Sequence, residues 1–132
     1  MSPLRPQALP LFTERQFARL LANGDATRAD PGHDLWPVAK LFTPDAAATW
    51  LVTEIDPDER SCLWALADLG LGCAEYGTVG LPEIEALRGH LGLPVERDRA
   101  FKAEGPISSY IRVSAPAGRI IEHLPKREGG AP

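Results

Sequence analysis

Residues 50–69 contain the pattern that most restricts what this chain can fold into. Residues 50–56 are rich in β-branched and aromatic side chains, which favour strands. A turn follows, with Pro57 in the position that proline prefers. The apolar residues 62–69 then return along the first run. The pattern predicts a β-hairpin with a loop of about five residues.

Strand geometry predicts the register and the faces of this hairpin. Symmetrical pairing about residue 59 places Trp50 opposite Asp68 and Glu54 opposite Trp64. A carboxylate held against an indole ring loses hydration, which raises its pKa and suits it to act as a general acid. Alternation predicts two faces, one with Leu51, Thr53 and Ile55 and the other with Trp50, Val52 and Glu54.

A short helix is predicted before the hairpin. Thr13 and Gln16 have the spacing of a capping box, and apolar residues follow at helical intervals. Gly24 offers the conformation that commonly ends a helix. We therefore expect residues 25–37 to form a surface loop.

Two further helices are predicted after the hairpin. Pro82 suits the first position of a helix, and Ile84, Leu87 and Leu91 supply its buried stripe. Gly92 ends that helix. A short final helix is predicted at residues 107–113.

These elements predict a single α+β domain. Strands are also expected at residues 38–43 and 75–80, and residues 93–101 alternate in polarity. Because the connections are short, the sheet should be mostly antiparallel, with about four to five strands and two to three short helices. The expected division is an extended lead-in at 1–10, the domain at 11–113 and a flexible C-terminal tail at 114–132.

Charge is unevenly distributed along the chain. The formal net charge is −4, but residues 30–92 carry eleven acidic and three basic side chains, a balance of −8. Binding to phosphate backbones depends on clustered Lys and Arg. The acidic middle therefore argues against a nucleic acid partner for the core.

The sequence favours a cytoplasmic protein. Its first residues lack the long apolar run of a signal peptide, and no segment reaches the ~18 apolar residues that span a membrane. Cys62 and Cys73 have no His or Cys at metal-ligand spacing, so reduced thiols are expected, with a disulfide as the alternative. The abundance of Arg, Ala, Pro and Gly points to a bacterial origin. The apolar character of both hairpin faces permits a monomer or a homodimer.

Carboxylates are the one dense set of side chains capable of catalysis. A patch for contact with a protein partner is predicted from Glu54, Asp56, Asp58 and Glu59. The weaker acid or base candidates are Asp68 and Glu75. The simpler interpretation is that the turn carboxylates are hydrated and that Asp68 turns the chain before Gly70. The turn lacks the ligand spacing of a calcium loop, and neither a metal nor a cofactor is predicted.

The histidines and tryptophans are expected to be structural. His33, His90 and His123 lie in a polar loop, near a helix end and in the tail. The tryptophans recur every fourteen residues, at 36, 50 and 64, and core packing explains them better than a base-stacking platform does.

The sequence resembles small uncharacterised bacterial proteins that are grouped as a domain of unknown function and are frequent on plasmids and integrative conjugative elements. The likeness covers about residues 9–112 and is densest in the runs KLFTPD, ATWL, DLGLG and LGLPVERD, at residues 40–45, 48–51, 68–72 and 91–98. Departures occur at Cys73-Ala74 and Thr78. The resemblance implies a cytosolic protein carried with mobile DNA, and it transfers no catalytic residue.

Two functional hypotheses follow. The first is a non-catalytic binding or accessory protein that acts on a protein partner, either in mobile-element maintenance or as an inhibitor of host defence, since an acidic face can occupy a basic groove. The second is a small enzyme that uses Asp68, Glu75 or Glu54. The enzyme requires at least two of these carboxylates to converge in one pocket.

Overall fold

The computed structural model describes residues 10–126, which form one five-stranded sheet with three helices. In chain order the elements are α1 (Glu14–Ala29), β1 (Ala39–Phe42), β2 (Thr49–Ile55), β3 (Cys62–Asp68), β4 (Ala74–Gly80), α2 (Leu81–Ala86), β5 (Glu96–Arg97) and α3 (Ile107–Ala117). The strand order is β4-β3-β2-β1-β5, with antiparallel neighbours throughout. The predicted α+β class and antiparallel sheet are confirmed. Most of the predicted lead-in, residues 1–9, lies outside the described residues.

The central hairpin of β2 and β3 contains one irregularity. Glu54 stands opposite Trp64, as predicted. Trp50 stands opposite Ala67, so its predicted pairing with Asp68 is wrong by one residue. The cause is a shift of register within β2, which the sequence pattern did not reveal.

The register shift is a β-bulge at Thr53. It falls between Val52 and Glu54, where β2 carries one residue more than β3. The extra residue advances the alternation of side chains by one position. Ile55 therefore packs in the same cluster as Trp50 and Val52, and its predicted place on the other face is wrong.

Two apolar clusters cover the two faces of the sheet. On one face, Leu20 of α1 and Ile84 of α2 pack with Trp50. On the other, Tyr110 of α3 packs with Leu51. All five side chains are at most 4% exposed, and full burial of such a side chain stabilises the fold by about 1.5–3 kcal/mol.

Helix α1 is longer than predicted. It begins with the expected capping box, in which Thr13 and Gln16 each accept a hydrogen bond from the other's backbone amide. It then passes through Gly24 and ends at Ala29, so the predicted stop at Gly24 is wrong. Gly24 is needed because the helix approaches the backbone of Ile55, where a Cβ atom would stand 2.0 Å from the carbonyl oxygen.

Helix α2 is shorter than predicted. It ends at Ala86, and Leu87 and Leu91 are exposed rather than buried. The carboxylate of Asp45, which precedes β2, accepts hydrogen bonds from the backbone amides of Leu91 and Leu93, at 2.6 and 3.2 Å. These bonds hold residues 88–94 as a loop, since they engage amides that a longer helix would use internally.

The C-terminal part of the fold extends further than predicted. α3 continues past the expected end at Val113 to Ala117. Ile120 is 7% exposed and belongs to the cluster around α3. Residues 114–126 of the predicted tail are therefore attached to the folded core, while residues 127–132 lie outside the described part of the chain.

Candidate functional site

The turn between β2 and β3 presents three of the four carboxylates predicted to form an acidic patch. Oδ1 of Asp56 accepts hydrogen bonds from the backbone amides of Asp58 and Glu59, at 2.8 and 3.2 Å. The carboxylate of Glu59 accepts a 2.6 Å bond from the hydroxyl of Ser61. Asp58 pairs with Arg28 of α1 at 2.6 Å, with both side chains more than half exposed. The turn is therefore internally fixed while its outer carboxylates face solvent.

Glu54, the fourth predicted member, lies beneath this surface. It is 6% exposed, whereas Asp58 and Glu59 are exposed. The exposed part of the predicted patch is thus reduced to the turn. Within residues 10–126, the one hydrogen-bond donor to the Glu54 carboxylate is the hydroxyl of Thr27, at 3.1 Å.

Glu54 lines a cavity of about 230 Å³ between the C-terminal end of α1, the loop that follows it, the sheet and the start of α3. The polar lining residues are Thr27, His33, Glu54 and Tyr76, and the apolar ones are Pro31, Leu35, Trp64 and Ile107. The bulge at Thr53 contributes to this position, because it sets Glu54 opposite Trp64. Within residues 10–126, this cavity is the one place that combines a buried carboxylate with aromatic walls.

A chain of hydrogen bonds fixes Tyr76 beside the cavity. The hydroxyl of Thr53 lies 3.2 Å from the carbonyl oxygen of Trp64 and 2.7 Å from the hydroxyl of Tyr76. A carbonyl oxygen can only accept, so the single hydroxyl proton of Thr53 is directed to Trp64. Tyr76 must then donate to Thr53. The lone pairs of the Tyr76 oxygen remain as acceptors.

Burial controls the ionisation of both polar groups. It raises the pKa of Glu54, and the charge of Asp56 adds to this, although the hydrogen bond from Thr27 and the proximity of His33 oppose it. Burial also raises the pKa of Tyr76, so that its phenol remains neutral at physiological pH. The raised pKa of Glu54 agrees with the effect expected for a carboxylate placed against Trp64.

The other acid or base candidates lie elsewhere. Asp68 accepts hydrogen bonds from the amides of Gly70, at 2.8 Å, and Ile120, at 3.1 Å, and so joins the end of β3 to the C-terminal segment. Glu75 is exposed on β4, opposite Ala67. Of the three carboxylates considered for catalysis, Glu54 alone lines the cavity.

The two cysteines are free and lie at opposite ends of β3. Cys62 begins the strand, whereas Cys73 follows its other end in the loop before β4. A strand of seven residues spans roughly 20 Å, beyond the reach of a disulfide. Within residues 10–126, no group of three or more His, Cys, Asp and Glu side chains is arranged to hold a metal ion.

The histidines and Trp36 occupy the surface. His33 lines the cavity although its side chain is exposed, and His90 is exposed in the loop after α2. His123 pairs with Glu104 at 2.8 Å. Trp36 is 53% exposed, so core packing is wrong for this tryptophan, while Trp50 is buried as expected.

Sequence reasoning identified Glu54 and Trp64 but missed the rest of the site. The sequence pattern ends α1 at Gly24 and so places Thr27 in a loop, and it indicates only a structural role for His33. Tyr76 comes from β4, whose register to β3 no local pattern could fix. One sequence feature does indicate the site: a glutamate stands between Thr53 and Ile55 in a mostly apolar strand. Charged residues are seldom fully buried unless they are paired, so a glutamate at such a position indicates a binding or catalytic role.

Together these features define a small α+β protein with an acidic turn and an acceptor-lined cavity. The family model described as "Protein of unknown function (DUF2958)" matches residues 11–121. This chain belongs to that family, which confirms the resemblance to a domain of unknown function. No curated protein and no solved structure gives a significant match. Across the described residues, no helix has the length and apolar content needed to cross a membrane.

Proposed function

We propose that this protein is a non-catalytic binding protein that acts through a basic protein partner. The observation that carries the proposal is the β2–β3 turn, where Asp58 and Glu59 face solvent on a loop held by hydrogen bonds to Asp56 and Ser61. A fixed loop loses little conformational freedom on binding, so its charges favour association at low cost.

The C-terminal end of α1 extends this acidic surface. That helix end lies beside the turn, because Arg28 pairs with Asp58. It also exposes Asp25 and Asp30, which add negative charge. An acidic surface of this kind complements the basic groove of an enzyme that handles nucleic acid. The partner we propose is such a protein in the bacterial cytoplasm, met either in the maintenance of mobile DNA or in host defence. The protein acts there as a monomer or homodimer.

Charge reversal tests the proposal. Asp58→Lys with Glu59→Lys should abolish capture of a specific partner from a bacterial extract, and raising the salt concentration should weaken capture by the unmodified protein. The matched control is Glu75→Lys with Glu96→Lys, which changes the net charge equally at two exposed positions on β4 and β5. Equal loss in both double variants, or none in the first, would overturn the proposal.

A small carboxylate-based enzyme is the second candidate, and the cavity favours it. Glu54 has a raised pKa there and could serve as a general acid. Activity of this kind would disappear in Glu54→Gln and persist in Asp68→Asn, because Asp68 lies outside the cavity. Screening both variants against hydrolase substrates separates this candidate from the binding protein.

A further inference from the structure

We propose that the Glu54 cavity is a binding site for a guanidinium group, with Glu54 as the counter-charge and Trp64 as the stacking surface. The inference deepens the proposed function and rests on it in one respect: the arginine of a basic partner is the expected source of the group. The site itself is defined by the cavity, whatever molecule carries the guanidinium.

The buried Glu54 carboxylate has little hydrogen-bond support. Glu54 is 6% exposed as a residue, and within residues 10–126 its carboxylate receives one hydrogen bond, from the neutral hydroxyl of Thr27. A buried carboxylate is normally paired with a cation or with several donors. Arg28, which follows Thr27 in α1, is engaged with Asp58. Among the described residues, the Glu54 carboxylate therefore has no cationic partner.

Two polar groups of the cavity wall, on Tyr76 and Glu54, are hydrogen-bond acceptors. Tyr76 donates to Thr53 and keeps acceptor lone pairs, and the Glu54 carboxylate accepts only. The complement of two acceptors is a ligand rich in donors. A guanidinium group carries five N–H donors and no acceptor when it is part of an arginine side chain.

The apolar wall of the cavity includes two aromatic rings. The rings of Trp64 and Tyr76 lie with centroids 5.8 Å apart and planes inclined by 30°. Flat cations stack on such rings, and guanidinium does so better than ammonium because it is planar and weakly hydrated. Leu35 and Ile107 line the same cavity and suit the methylene groups behind the cation.

The charged groups around the cavity are consistent with this occupant. Asp56 increases the negative potential at Glu54, and Asp34 does so at Tyr76. His33 is the opposing group, because it also lines the cavity and its proximity lowers the pKa of Glu54. Because burial raises the pKa of Glu54, binding should be measured at or above neutral pH, where this carboxylate is most ionised.

The test uses ethylguanidinium and its neutral counterpart ethylurea, titrated into the full-length protein at constant ionic strength. Binding is followed by the amide and indole NMR resonances of the cavity. Ethylguanidinium should saturate a single site with a Kd on the order of 1 mM, the affinity open to so small a ligand. Ethylurea should not bind, and equal binding of both ligands would overturn the proposal.

Two variants assign the roles of the residues. Glu54→Gln keeps the shape of the side chain and should weaken ethylguanidinium binding at least about tenfold, because a hydrogen bond to a charged group is lost. Tyr76→Phe keeps the aromatic wall and should weaken it only several-fold. Unchanged affinity in Glu54→Gln, or resonance changes spread over the whole surface, would exclude the cavity as the site.

Capture of the partner distinguishes the source of the guanidinium and keeps the two proposals separate. If Glu54→Gln lowers partner capture, the group is a partner arginine; if capture is unchanged while ethylguanidinium binds, the cavity serves a free small guanidine. If ethylguanidinium does not bind but capture still depends on Asp58 and Glu59, the cavity inference alone fails. If ethylguanidinium binds and the substitutions at Asp58 and Glu59 leave partner capture unchanged, the proposed function alone fails.

Discussion

Gly24 of α1 lies directly against the carbonyl oxygen of Ile55 in β2. A Cβ atom at position 24 would stand 2.0 Å from this oxygen and 3.1 Å from the ring of Pro57. The neighbouring Asn23 donates a 2.9 Å hydrogen bond to the carbonyl oxygen of Thr53. The helix is therefore seated on the backbone of the bulged strand, and this close approach places Thr27 beside Glu54.

We expect Gly24→Ala to destabilise the fold by about 1–3 kcal/mol, because the helix must move away from the strand to admit the methyl group. Urea unfolding measures the effect. The control is Gly77→Ala, where no atom lies within 4 Å of the added Cβ, and which should change stability by less than about 1 kcal/mol. Similar effects of the two substitutions would contradict the seating of the helix.

The pH dependence of stability should contain a contribution from Glu54. Because its pKa in the folded state is raised above the ordinary value of 4.5, the folded protein holds this proton more tightly than the unfolded chain does. The contribution is fully present below pH 4.5 and is lost as the pH rises through the raised pKa. Glu54→Gln should remove this decline, so the stability of the variant relative to the unmodified protein increases with pH over that interval. Parallel pH profiles for the two proteins would show that Glu54 titrates normally.

Thr53 and Tyr76 should be energetically coupled through their 2.7 Å hydrogen bond. A double-mutant cycle with Thr53→Val and Tyr76→Phe is expected to give a coupling energy of about 0.5–1.5 kcal/mol. Tyr110→Phe provides the comparison, because the Tyr110 hydroxyl accepts from the amide of Glu104 and shares no bond with Thr53. That second cycle should be additive within about 0.5 kcal/mol.

The two thiols should differ in reactivity. Cys73 is exposed, whereas burial and the charges of Asp56 and Glu59 raise the pKa of Cys62. Each unit of increase in pKa lowers the thiolate fraction at neutral pH about tenfold, and the thiolate is the reactive form. A thiol reagent should show a fast and a slow phase of equal amplitude, and Cys73→Ser should remove the fast one. Loss of the slow phase instead would reverse the assignment.

The sequence predicted the fold class and the pairing of Glu54 with Trp64 because alternation and turn chemistry are local properties. It missed what depends on distant contacts. A glycine such as Gly24 is typical of a helix end. The helix nevertheless continues through Gly24, where the absence of a side chain lets it pack against the backbone of Ile55. Leu91 has helical spacing, but Asp45, far away in the chain, holds its amide in a loop. The cavity was missed for the same reason, since its walls come from five separate stretches of the chain: residues 27–35, β2, β3, β4 and α3.

The bulge at Thr53 determines where strand β2 can change in length. Loss of a residue away from the bulge, such as Leu51, would turn the side chains between that position and the bulge to the opposite face. Loss of Thr53 would instead leave a regular strand, with Glu54 still opposite Trp64 and Ile55 still opposite Leu63. The deletion would remove the hydroxyl that hydrogen-bonds to Tyr76, but the remaining side chains would keep their places on the two faces of the sheet. Among homologous chains, single-residue deletions in this strand should therefore concentrate at position 53.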